Sequence, residues 1–189
     1  MRRAGGTTPP GKLNRRMQAS LQVRRLVPAD APAYRRMMLT AYAQTPDAFT
    51  STVAEREGLP LEWWQSRMQE NPAAGEVVFG AFIGEQLAGV AGLMRESRER
   101  TRHKATLFGM VVEPHQRGRG LGRALIDTVM AHARSVPGLR VVQLSVTQGN
   151  NAAQRLYLAC GFVEFGIEPM ATITANGFVT KVHMWREVS

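Results

Sequence analysis

The segment Arg117-Gly118-Arg119-Gly120-Leu121-Gly122-Arg123 is the part of this sequence best suited to chemistry. It follows an apolar run over 105–112 and a Glu113-Pro114 stop, and it leads into Leu121, Leu125 and Val129, apolar residues spaced by four. A strand, a loop and a helix that starts among glycines leave unpaired N–H groups at the positive end of a helix dipole. Such a helix start is an anion site. Glycine at 118, 120 and 122 lets backbone approach a phosphate with no Cβ in the way. Arg117, Arg119 and Arg123 bring positive charge to the same spot. The natural guest is a pyrophosphate; the plain alternative is a tight strand–helix turn with solvated arginines. A P-loop would need Lys-Ser/Thr after the last glycine, and Arg123-Ala124 stands there. The dinucleotide fingerprint needs glycines at relative positions of about 1, 3 and 6, and here the third comes one residue early.

The elements that position this loop are legible on either side. Residues 21–27 read as a first strand, with Leu21 and Val23 on one face. Pro28-Ala29-Asp30 is a turn, with Asp30 as N-cap of a helix to about 44. Thr45-Pro46-Asp47 is a second turn-plus-cap signal, and 48–57 is helical or irregular. Residues 61–71 form a helix stopped by Asn71-Pro72. Strands follow at 76–83 and 87–96, joined by Gly84-Glu85-Gln86, and again at 105–112. The glycine-rich segment opens a helix to about Ser135, broken by Pro137-Gly138. A buried strand at 139–147, a helix ending near Cys160-Gly161 and strands at 162–167 and 178–186 complete the chain. Strand–helix–strand across 105–147 predicts a right-handed parallel crossover. The fold class is α/β, a mixed sheet.

Composition is compatible with one globular domain. At 189 residues the chain can bury roughly 70% of its unfolded surface without disulfide or metal. One cysteine makes neither an internal disulfide nor a thiolate zinc site, and no metal is expected. No apolar run approaches the roughly 18 residues of a membrane span, and no apolar stretch follows the basic N-terminus as in a secretory signal. A cytoplasmic protein is expected. The net charge is +9, and residues 1–20 hold Arg2, Arg3, Lys12, Arg15 and Arg16 with no acid. This segment is expected to be a disordered tail ahead of a domain over 21–189. No aromatic residue interleaves its charges, so nucleic acid is not expected as a partner.

Residues 105–135 resemble motif A of the GNAT N-acetyltransferase superfamily, Arg/Gln-x-x-Gly-x-Gly/Ala, met by Arg117, Gly120 and Gly122 after Val112-x-Pro114. The family's next motif, Asn-x-x-Ala-x-x-Leu-Tyr-x-x-x-Gly-Phe, appears as Asn150, Ala153, Leu156, Tyr157, Gly161 and Phe162. The resemblance implies a mostly antiparallel sheet of about seven strands, with helices on both faces and a splayed parallel pair where acetyl-CoA lies. It implies that the amides of Arg117, Gly118, Arg119, Gly120, Leu121, Gly122 and Arg123 hold the pyrophosphate. Backbone of Met110, Val111 and Val112 would pair with the pantetheine, and Met110 or Val111 would polarise the acetyl carbonyl. Asn150 would bond the pantetheine arm, or Asn151 if the helix starts one residue later. Tyr157 would give a proton to the leaving sulfur as a neutral amine attacks the thioester. The implied activity is N-acetyl transfer from acetyl-CoA to a primary amine: a small metabolite, antibiotic, amino acid analogue or protein N-terminus. Homodimers are common in the family.

The general base is not evident. The strands over 105–110 and 142–146 carry no carboxylate, and Glu113 and His103 read as solvated, so water or a neutral amine would serve instead. Cys160, with no His nearby in sequence, reads as core rather than nucleophile. Of Trp63 and Trp64, one should pack on the sheet and the other border the acceptor pocket, with Tyr42, Phe49 and His183 as candidates for the same wall. Two rivals remain: a CoA-binding module without catalysis, and a nucleic-acid binder using the tail.

Overall fold

The computed structural model describes residues 20–69 and 75–189. The basic segment before residue 20 and the expected helix stop at 71–72 lie outside them. Seven strands form one sheet: β1 Leu21–Arg25, β2 Glu76–Ile83, β3 Gln86–Arg95, β4 Lys104–Val112, β5 Val141–Thr147, β6 Val163–Thr174 and β7 Gly177–Glu187. Their spatial order is β1-β2-β3-β4-β5-β7-β6. The helices are α1 Ala31–Gln44, α2 Val53–Glu57, α3 Leu61–Ser66, α4 Leu121–Ser135 and α5 Asn151–Ala159.

Alternation along the strands builds a core on each face. On β2, Val77, Phe79 and Ala81 pack with α4 and α5, whereas Val78 and Phe82 pack with α1 and α3. The apolar stripe of α4 is the expected one: Leu121, Leu125 and Val129 are buried, joined by Ile126, Met130 and Ala133. Leu125 is fully enclosed. Leu125→Ala is expected to cost about 2–5 kcal/mol through lost burial and a residual cavity, measured by urea unfolding.

Every pairing in the sheet is antiparallel except β4–β5, the expected parallel pair. That pair is joined only where Lys104, Ala105 and Thr106 meet Val141, Val142 and Gln143. Beyond Thr106 the two strands part, and the opening between them is the cleft on which the site is built.

Several boundaries differ from expectation. β1 stops at Arg25, although Leu26 N–H still donates to Val78 O. α3 ends at Ser66, five residues short of the expected 71, in a turn where Met68 N–H donates to Gln65 O. Asp30 holds the N-cap position but makes no side-chain cap. Its carboxylate turns back to Arg24 at 2.7 Å and to Val27 N–H at 2.9 Å, because a charged fork outcompetes a helix amide. The Thr45-Pro46-Asp47 signal yields only a 3-10 turn, Pro46–Ala48; the next helix, α2, is capped reciprocally by Thr52 and Glu55. The largest difference is β6, which continues seven residues past the expected end at Ile167. Pro169 lies inside it, at a register shift between Glu168 and Thr172, with Met170 in a left-handed conformation. A proline is tolerated there because β6 is the sheet edge and the irregularity needs no ladder hydrogen bond from it.

Candidate active site

β4 changes character halfway along. Val90 pairs with Val111 and Gly92 with Phe108, so Gly109 and Met110 together face Ala91. This is a β-bulge, with Gly109 at φ +59°, a conformation costly for any residue with a Cβ. The bulge lies past the last β4–β5 pair, so it bends β4 where β5 has already departed.

The bend leaves an open backbone edge. Glu113 N–H donates to Ala88 O on β3, which fixes the sense of alternation along the extended segment. Val111 then faces β3 as well, and the backbone groups of Val112 face the cleft; Gly109 and Met110 fall inside the bulge, where regular alternation breaks. Val112 O accepts from Arg117 Nε at 3.3 Å rather than from a strand. Of the two residues named for polarising an acetyl carbonyl, Val111 faces β3, and Met110 lies in the bulge and lines the slot beside the cleft.

The glycine loop closes one end of this edge. Gly118 has φ +76° and Gly120, the N-cap of α4, has φ +83°. The first amide of α4 to find a backbone partner is Ala124, which donates to Gly120 O. Among the described residues, the N–H groups of Gly118, Arg119, Gly120, Leu121, Gly122 and Arg123 have no protein acceptor; Arg117 N–H donates to Pro114 O. Gly122 also meets a packing demand. A Cβ there would lie 2.8 Å from Leu156 Cδ2 and 3.2 Å from Met110 Cε, so its glycine lets α4 sit close to α5 and β4. The arginine side chains also divide their roles. Arg119 bonds Gln116 Oε1, and Arg123 turns to Ala159 O and Asp127, so Arg123 offers the loop its N–H rather than its charge.

A narrow slot of about 100 Å³ follows the splay and is walled by Met110, Val146, Thr147, Asn150, Ala153 and Tyr157, among others. Asn150 is the N-cap of α5; its Oδ1 accepts from Ala153 N–H, which leaves its amide donors free. Asn151, one residue into the helix, is exposed and outside the slot. Tyr157 is buried on α5 and edge-on to Phe162. Among the described residues its hydroxyl meets only Met110 Sδ, at 3.5 Å, a weak acceptor. Burial pushes the phenol up to about 12, so it stays protonated through the neutral range.

The slot opens into a wider chamber of about 390 Å³, with Phe49, Phe108, Gly109 and Ser145 common to both walls. Tyr42, Phe49 and both tryptophans, Trp63 and Trp64, line it, where only one tryptophan was expected. Trp64 is buried and edge-on to Tyr34, while half-buried Trp63 carries Arg56 and Arg67 over its ring at 4.7 Å each. His183 is not in the lining; it bonds Glu168, which is, at 2.7 Å.

Four charged residues of this wall escaped the sequence reading: Arg56, Arg67, Glu168 and Lys181. Lys181 is buried, and burial lowers its pKa. Its ammonium donates to Thr147 Oγ1 at 2.9 Å and to the carbonyls of Asp47 and Ala48, tying the Pro46–Ala48 turn across β5 and β7. Strand alternation held the signal: Val182 and Met184 enter the α4 side core, which puts Lys181 on the opposite face.

The other base candidates do not join the site. His103 precedes β4, at the end remote from Met110, where its carbonyl accepts from Arg140 and Val141. Glu113 lines a separate groove beside α1 and pairs with His115. Cys160 is buried at the end of α5, and burial pushes its thiol up, the reverse of an activated nucleophile. Cys160→Ala is expected to leave kcat essentially unchanged in an acetyl-transfer assay; a loss of a hundredfold or more, at the scale of a lost nucleophile, would reinstate the cysteine. Among the described residues no cluster of His, Cys, Asp and Glu is arranged for a metal, and no helix is long and apolar enough to cross a membrane.

Comparison with known proteins agrees with this geometry. Residues 34–162 match the acetyltransferase (GNAT) family. A mycothiol acetyltransferase of Geodermatophilus obscurus is 29% identical over 170 residues, 88% of this chain and 52% of that protein. The N-alpha-acetyltransferase RimI of Mycobacterium tuberculosis is 36% identical over 88 residues, 47% of this chain and 52% of that protein. The chain thus spans about half the length of these curated relatives. Among solved structures, a GNAT-family acetyltransferase from Streptococcus pneumoniae superposes with a TM-score of 0.79 at 24% identity, covering 90% of this chain and all of that one. A Salmonella typhimurium protein solved with its cofactor acetyl-CoA gives 0.75 at 21% identity, over 90% of this chain and 95% of that one. With the family's sheet, its glycine loop and its splayed strands all present, the chain belongs to the acetyltransferase (GNAT) family.

Proposed function

We propose that this protein transfers an acetyl group from acetyl-CoA to a primary amine by direct attack. The observation that carries the reading is the convergence of two groups on one slot. The Tyr157 hydroxyl, protonated and nearly unpartnered, lies against Met110, the bulge residue of β4 that lines the slot.

The residues fit acetyl-CoA. The unpartnered amides from Gly118 to Arg123 suit its diphosphate, and Arg117 adds its side-chain charge beside them. The edge of β4 beyond Thr106, which among the described residues pairs with no strand on the β5 side, suits the amides of a pantetheine arm, which would pair there as an added strand. The free amide donors of Asn150 face the same slot. When bound, acetyl-CoA supplies an acetyl carbonyl activated as a thioester.

The chain supplies the rest. Met110 N–H polarises the acetyl oxygen as charge develops on it. Tyr157 gives its proton to the departing sulfur. Glu168, the one carboxylate lining the chamber among the described residues, is the group placed to take the proton that the amine must lose.

The test is amine-dependent release of free CoA thiol, with the acetylated amine identified by mass. Release that rises with amine is the expected result. Acetyl-CoA binding without release for any amine would replace this reading with a non-catalytic CoA-binding module.

A further inference from the structure

The charges of the wide chamber say what kind of amine belongs in it. Among the described residues, Arg56, Arg67 and Lys181 line it against a single carboxylate, Glu168. Arg67 has a partner in Glu76, which stands outside the lining. Lys181 is satisfied by two carbonyls and a hydroxyl, with Glu168 its cross-strand neighbour. Arg56 differs from both. It has no carboxylate partner among the described residues and spends Nε and one Nη on Ser51 Oγ. The rest of its planar fork is left with donors and no protein acceptor.

The guanidinium is also held in place. Its carbon stands 4.7 Å over the Trp63 ring, and Ser51 grips one edge. A half-buried guanidinium fixed by its face and one edge presents its other edge to whatever fills the chamber, and the ligand that matches a planar fork is a carboxylate.

We infer that the acceptor is a small primary amine that itself carries a carboxylate, an amino-acid-type molecule, with its carboxylate at Arg56 and its amine toward Glu168 and the slot. This inference rests on the proposed N-acetyl transfer and narrows its substrate. Walls with both signs of charge suit a molecule with both signs of charge. The cationic excess sets polyamines at a disadvantage, because their extra ammonium groups would meet Arg56 and Arg67. Aromatic walls from Tyr34, Trp63 and Phe108 leave room for an apolar side chain between the two charged ends.

The experiment compares the proteinogenic L-amino acids with their carboxamides and with spermidine, all with acetyl-CoA and read as free CoA thiol. The expected result is at least one free acid with kcat/KM more than about tenfold above its own carboxamide, the scale of a hydrogen bond to a charged group. Arg56→Gln should then raise KM for that acid by roughly ten- to a hundredfold and leave KM for the carboxamide nearly unchanged. Retention of the acetyl-CoA thermal shift shows that the variant is folded. Carboxamides or spermidine turned over as well as the acids would overturn the substrate class while leaving N-acetyl transfer standing. No amine turned over at all would overturn the transfer reading itself, and this inference with it.

Discussion

Gly120→Glu should abolish the thermal stabilisation that acetyl-CoA gives the wild-type protein. A ligand that binds only the folded state, at a hundredfold over its Kd, adds about 2.7 kcal/mol. For a domain of this size that corresponds to a rise in Tm of about 5–10 °C. Gly120 stands at the N-cap of α4 with φ +83°, in the middle of the run of unpartnered amides. A glutamate there brings a carboxylate to the spot proposed for a diphosphate. Open space surrounds the position, so the side chain meets no packing barrier. The left-handed conformation costs about 1–2 kcal/mol for a residue with a Cβ, so the unliganded variant should melt somewhat lower. Gly120→Ala carries the same backbone strain without the charge and should keep much of the shift. Differential scanning fluorimetry with millimolar acetyl-CoA measures all three proteins. A full shift in the glutamate variant would move the anion site elsewhere.

Tyr157→Phe should reduce kcat by about 10²–10⁴, the range for loss of a general acid, with the acetyl-CoA shift in Tm preserved. The hydroxyl makes only a long contact to a sulfur, so its removal strips out little binding or packing. Phenylalanine keeps the edge-on contact with Phe162. The raised pKa gives a second expectation. Because burial holds the phenol near 12, its titration should not appear in the pH profile of the wild type below that region. Stopped-time thiol release across pH tests both. Unchanged turnover in the variant would reduce Tyr157 to a packing residue.

The parts of this site that could be read in advance are those that one short segment specifies alone. Glycines at 118 and 120 mark a turn with positive φ, and Asn150 marks a helix start, whatever the rest of the fold does. The succession of strands and helices along the chain followed from the same local signals, and the parallel pair from the strand–helix–strand connection; the spatial order of the strands did not. What stayed hidden depends on contacts between segments distant in the chain. Arg56, Arg67 and Lys181 come from α2, the turn after α3, and β7, and nothing in any one segment says that they share a chamber. The bulge at Gly109 was hidden for a related reason: one glycine in an apolar run reads as regular strand until the register against β3 is known. The packing demand on Gly122 was hidden in the same way, because only the approach of Leu156 shows that a side chain there would push α4 away from α5. The length of β6 was hidden too: it runs on through Pro169, which is tolerated because β6 is an edge, and no local signal says which strand is the edge.

The most direct test of the account is a crystal structure grown with acetyl-CoA. The diphosphate oxygens should lie within hydrogen-bond distance of the N–H groups between Gly118 and Arg123, and the thioester should lie beside Met110 and Tyr157. Coenzyme bound elsewhere on the surface, with those amides turned to water or to protein, would contradict it.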